Sequence, residues 1–216
     1  MTDASEFLLA SLLEMAELES NPVLQIIDPA TPLQVNKKYP AGSLQFNQTG
    51  WRAYYHCHPA SRAGNHRFKG EHGHFHIFVR LENTADKTEN KTEKWSHLAA
   101  LAMDNMGQPI GWFTVNQWVT GETWKSADTL IPLLKSVPYE KQTSLVESWL
   151  LSLVTLSRDI IIQVLQTRDT ILEQKQLNFN KKNTAENYAI QQDKELYLLS
   201  EASINLAELL RANLGE

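Results

Sequence analysis

Two stretches, WRAYYHCH (51–58) and HGHFHIFVRL (72–81), alternate in character with a period of two residues. Successive side chains of a β-strand point to opposite faces. Trp51, Ala53, Tyr55 and Cys57 therefore share one face of the first strand, and Arg52, Tyr54, His56 and His58 share the other. In the second strand Gly73, Phe75, Ile77, Val79 and Leu81 lie behind His72, His74, His76, Phe78 and Arg80. Both apolar sets must reach the same core, so both histidine sets lie together, and the register is set to within steps of two. Symmetric closure of the loop at 59–71 pairs His58 with His72, His56 with His74, and Tyr54 with His76. It also sets Cys57 against Gly73 and Tyr55 against Phe75.

The chain has seven histidines, and six of them fall between Tyr54 and Arg80. Directly opposed Cβ atoms of an antiparallel pair are about 4.5–5.5 Å apart. Imidazoles at that spacing can converge on one ion with bonds of about 2.0–2.1 Å. Without an ion, five imidazoles on one face repel one another when protonated, and buried they need partners for every nitrogen. The ligand candidates are His56, His58, His74 and His76, with His72 next. Tyr54 and His72, on the same face, are the candidates for proton transfer. Nitrogen ligation suits iron or zinc, with copper just behind. Glu71, Asp104 and Glu122 are the carboxylates nearest by segment. Cys57, the one cysteine, points to the apolar side and reads as a small core residue. It also excludes an internal disulfide and a thiolate-rich metal site.

The remaining sequence frames this hairpin. Phe7, Leu8, Leu12, Met15 and Ala16 form a helical stripe within residues 1–18. Residues 19–50, with four prolines, read as an extended connection with one short strand at Val23–Ile27. His97–Asp104 and Ile110–Val119 read as two further strands joined by the turn-forming NMGQP. A short helix is expected over 126–136. A long one follows, with Leu145, Trp149, Leu153, Leu156, Ile160 and Val164 at steps of three and four. After a break at NFNKKNTAEN, Leu196, Leu199, Ser203, Leu206 and Leu210 repeat that spacing. The expected class is α+β: an antiparallel β-meander of about four strands, an N-terminal helix, and a C-terminal pair of long helices. The chain reads as one domain over 1–216, with the histidine-rich sheet at 51–124 and the helical part at 125–216.

The loop PASRAGNHRFKG is basic in a chain whose formal net charge is −5. Arg62 and Arg67 of that loop, with Arg52 and Arg80 on the histidine face, are candidates for holding a small polar or anionic substrate. Asn116, in line with Trp112, Thr114 and Trp118, is a candidate pocket residue, although core packing suits that row better. His97, at a strand start, reads as exposed rather than as a first ligand.

The acidic balance argues against nucleic-acid binding. The N-terminus lacks a basic n-region, and no apolar run approaches a membrane span, so a soluble cytoplasmic protein is expected. The C-terminal helices are read first as core and second as a homodimer contact. A metalloprotein acting on a small molecule is the expected function, as a metal-dependent hydrolase or oxidoreductase.

The string HGHFHIF resembles the motif of the histidine-triad nucleotide-binding proteins, His-x-His-x-His followed by two apolar residues. The resemblance covers about seven residues and implies metal-free nucleotidyl or phosphoryl transfer, with His74 as the nucleophile and His72 and His76 as its companions. A third alternative is a non-catalytic metal or haem carrier or sensor.

Overall fold

The computed structural model describes residues 3–27, 30, 32–46, 50–58, 68–81, 94–135, 137, 144–182 and 189–214. Among these, six strands form one antiparallel sheet in sequential order: β1 (Tyr39–Gln45), β2 (Trp51–Cys57), β3 (Glu71–Arg80), β4 (Trp95–Asp104), β5 (Pro109–Val115) and β6 (Leu198–Ser203). The helices are α1 (Asp3–Glu17), α2 (Gln117–Thr120), α3 (Ala127–Lys135), α4 (Leu145–Leu156), α5 (Arg158–Lys182) and α6 (Leu206–Leu214). The class is α+β, as the sequence indicates, with a longer meander than four strands.

One sheet face carries the main core. Tyr55, Cys57, Phe75, Ile77, Leu101, Met103 and Trp112 pack there with Leu8 and Met15 of α1, Leu130 and Leu134 of α3, and Trp149, Leu150 and Leu153 of α4. Such burial is worth about 1.5–3 kcal/mol for each large apolar side chain. This fixes which set of hairpin side chains turns inward. The observed β2–β3 register pairs Tyr54 with His76, Tyr55 with Phe75, His56 with His74, and Cys57 with Gly73. These are the pairs that the common-core requirement selects. His58 follows the end of β2, and the β2–β3 ladder ends at Cys57–Gly73.

Several elements differ from the sequence expectation. Val23–Ile27 forms turns, anchored by the Asn21 carboxamide accepting from the Val23 and Leu24 amides. The strand of this region is instead β1, which pairs with β2. The fourth expected strand ends at Val115 because Asn116 leaves the sheet: its side chain accepts from the Gln117 amide and caps α2. The long helix is interrupted at Ser157, and α5 then extends into the first half of the expected break, as far as Lys182. The largest change is at the C-terminus, where Leu198–Ser203 is a strand paired with β5. Leucines at helical spacing were offset there by the open hydrogen-bonding edge of β5, a case of tertiary context overriding a short apolar pattern. The C-terminal pair of long helices is therefore replaced by α5, β6 and a short α6.

Gly73 shows how tightly the hairpin is built. A methyl group there would overlap the Tyr55 hydroxyl and stand 2.5 Å from the His56 carbonyl oxygen. Gly73→Ala is expected to lower the unfolding free energy by about 1–3 kcal/mol, the range for overpacking. Gly42, with nothing within 4 Å of such a methyl group, is the control, and Gly42→Ala should stay within about 0.5 kcal/mol of wild type. Urea denaturation of both variants checks this.

Candidate metal centre

The sheet face opposite the main core has two small apolar clusters. Tyr54, Phe78 and Trp95 form one, and Ala100, Ala102, Phe113 and Val115 the other. The imidazoles lie between them. Ala102 and Ala100 stand beside His74 and His76 in the β3–β4 ladder, so small neighbours on β4 leave room for the rings. The Phe113 ring meets the His74 ring edge-on, with centroids 5.0 Å apart.

The nitrogens converge. His56 Nε2 is 2.6 Å from His74 Nε2, which is 3.1 Å from His76 Nε2. His56, His58 and His74 each offer a ring nitrogen within 4.8 Å of the other two, a grouping able to hold a metal ion. Nitrogens bound to one ion at about 2.0–2.1 Å stand roughly 3 Å apart. His74 is fully buried and His76 nearly so, whereas His56 and His58 are half-buried.

Two breaks in the β3–β4 register bring in the partners behind these rings. One falls between Glu71 and Gly73: Glu71 pairs with Asp104 and Gly73 with Met103, which leaves His72 as the extra residue. Such a bulge re-aims the side chains on either side of it. Glu71 thereby joins the histidine face, where its buried carboxylate oxygen lies 2.8 Å from His74 Nδ1. His72, expected beside His74, turns toward the core side, and its Nδ1 lies 2.7 Å from the Tyr55 hydroxyl. The second break makes Leu98 the extra residue, since Ile77 pairs with Ala99 and Phe78 with His97. Leu98 joins the main core, and His97 lands on the histidine face. His97 is buried, contrary to the exposed position expected of it, and its Nε2 lies 2.9 Å from His76 Nδ1.

Tautomers follow from these contacts. A carboxylate accepts, so the His74 Nδ1 carries the proton and its Nε2 presents a lone pair to the cluster. Burial, reinforced by the Arg168 guanidinium, pushes the His97 imidazole down to about 3, so that ring is neutral. With His76 Nδ1–H donating to His97 Nε2, the His76 Nε2 also presents a lone pair. With the opposite tautomer, His76 Nε2–H donates to His74. The first arrangement is a ligand set; the second is a closed hydrogen-bond network.

The other sequence candidates are placed as follows. Tyr54 lies on the histidine face, 5.4 Å from the His76 ring between centroids. Burial and the neighbouring Glu122, partly offset by Arg52, push its hydroxyl up to about 12, so it is a neutral phenol. Arg52 shares that face, but its guanidinium bonds Glu122 and stacks over Trp95 at 4.3 Å. Arg80 is exposed at the far end of β3 from Glu71. Asn116 is fully buried and donates to the Ile190 carbonyl oxygen, a structural position. Arg62 and Arg67, with His66, lie outside the described residues. Among the other carboxylate candidates, Asp104 accepts from two turn amides and Glu122 bonds Arg52. Cys57 is a buried core residue whose thiol burial pushes up.

The fold and this cluster define an α+β protein with a four-histidine group on one sheet face, backed by a carboxylate and a fifth imidazole. Residues 2–204 match the family described as a domain of unknown function, DUF6969, and the chain belongs to that family. No curated protein and no solved structure matches it. Among the described residues no helix is long and apolar enough to cross a membrane.

The Glu71–His74 contact has a direct consequence for the protein itself. Glu71→Ala removes the acceptor at a buried ring nitrogen and is expected to cost about 1–3 kcal/mol of unfolding free energy. Glu71→Gln keeps an acceptor and should cost less. Denaturant titration of the two variants, with metal excluded, checks the order.

Proposed function

We propose that this protein holds one transition-metal ion among His56, His58, His74 and His76 and uses it catalytically on a small molecule. The observation that carries this reading is the His74 pair of contacts: Nδ1 on a buried carboxylate, and Nε2 directed at two other imidazole nitrogens. Metal-ligating histidines commonly donate their second nitrogen to a carboxylate, which fixes the ring and raises its basicity. His76 with His97 repeats the arrangement with an imidazole in place of the carboxylate. Neutral nitrogen ligands suit iron or zinc, with copper next. The ion would act as a Lewis acid or activate a bound water.

The metal-free transfer reading requires a phosphate to reach His74 Nε2. That atom belongs to a fully buried ring and already faces two imidazoles, so direct access favours the metal. A carrier would bind exchangeable metal without turnover, and a haem carrier would show a Soret band.

The test is metal analysis of untagged protein purified without chelator, beside a His56→Ala/His74→Ala variant of verified fold. Near-stoichiometric iron, zinc or copper is expected in the first and its loss in the second. Absence of metal from folded wild type after reconstitution would sink the proposal. Glu71→Ala and His97→Phe, which touch the ligands without replacing them, are each expected to weaken metal binding by about 10–100-fold. Competition with a chromophoric chelator measures that loss.

A further inference from the structure

A cavity of about 460 Å³ opens beside the histidine cluster, with His58, Phe68, Lys69, Glu71, His72 and Asn105 in its wall. We infer that it receives a small organic acid, with the carboxylate on Lys69 and Asn105 and the remainder of the molecule turned toward His58. This inference rests on the metal reading above and supplies its substrate class.

His58 belongs both to the metal-competent group and to the cavity wall, so a molecule in the cavity lies beside that group. The volume falls in the usual range for small-molecule sites, about 300–1,000 Å³. The described wall has one cationic side chain, Lys69, in a chain whose net charge is −5. Glu71 is the one carboxylate among the described wall residues, and its charge is buried and directed at His74. Lys69 and Asn105 supply an ammonium and an amide NH2 at the cavity. These are donors, and an acid group is the acceptor that suits them.

Lys69 stands on a built turn. The Glu71 amide donates to the Phe68 carbonyl oxygen at 3.1 Å, and Gly70 has φ +86°. A positive φ at the third position of a four-residue turn is the type II arrangement, which favours glycine. The Phe68 ring fills the space over Gly111, where a methyl group would overlap it. The turn is thus closed by a hydrogen bond and anchored by an aromatic ring on β5, and it sets Lys69 at the cavity. Lys69 is itself exposed at that position.

The experiment uses full-length protein whose metal content has been measured. Glycolate, malonate, succinate and benzoate are titrated by calorimetry, with glycolamide as the uncharged counterpart and inorganic phosphate as a competing oxyanion. At least one acid is expected to bind, glycolamide to bind at least about tenfold more weakly than glycolate where glycolate binds, and Lys69→Gln to weaken the acid by about tenfold or more with metal content unchanged. Equal binding to wild type and Lys69→Gln would overturn the inference. So would the absence of binding by every acid at millimolar concentration, or binding of phosphate alone. Failure of the metal reading is read separately, from the metal content. Lys69-dependent acid binding in a metal-free protein would keep the cavity assignment and remove the ion.

Discussion

Burial of Tyr55, Cys57, Phe75 and Ile77 against the helices determines where the imidazoles of the opposite face go. A slip of one residue between β2 and β3 would turn the apolar set of one strand outward, at a cost of several buried side chains. That penalty pins His56 opposite His74 and Tyr54 opposite His76. The histidine cluster is thus held in place by packing on the far side of the sheet, away from its own chemistry. Gly73 adds to this constraint, since the Tyr55 hydroxyl occupies the space that a side chain there would need.

Within that frame, the two bulges of the β3–β4 ladder supply what simple alternation withholds. Strict alternation would put Glu71 in the core and Leu98 among the histidines. The extra residues at His72 and Leu98 exchange these assignments, so a carboxylate and a neutral imidazole come to stand behind His74 and His76. Each inner ring thereby has one nitrogen engaged and the other turned toward its neighbours. Ala100 and Ala102 keep the adjacent strand low enough for the rings to fit.

The hairpin register was legible because its two faces differ so sharply in polarity, and the convergence of His56, His74 and His76 followed from it. The bulges were not legible. His97 and Glu71 sit where a one-residue insertion changes which face they occupy, and nothing in WSHLAALAMD or KGEHGHF marks that insertion. Glu71 was a candidate only by its nearness in sequence. The fate of His72 was missed for the same reason. The C-terminal strand was obscured by a different effect: Leu196, Leu199, Ser203 and Leu206 fit a helical stripe as well as a strand, and the unpaired edge of β5 decides between them. Asn116 looked like a pocket residue because NQWV continues the strand pattern, but its capping side chain ends the strand.

The most direct test of the metal centre is an anomalous-difference map from crystals of the metal-loaded protein. One strong peak is expected about 2.0–2.2 Å from ring nitrogens of at least three of His56, His58, His74 and His76. No peak in the cluster, with His76 Nε2 and His74 Nε2 still in contact, would contradict it and leave a closed hydrogen-bond network on that face of the sheet.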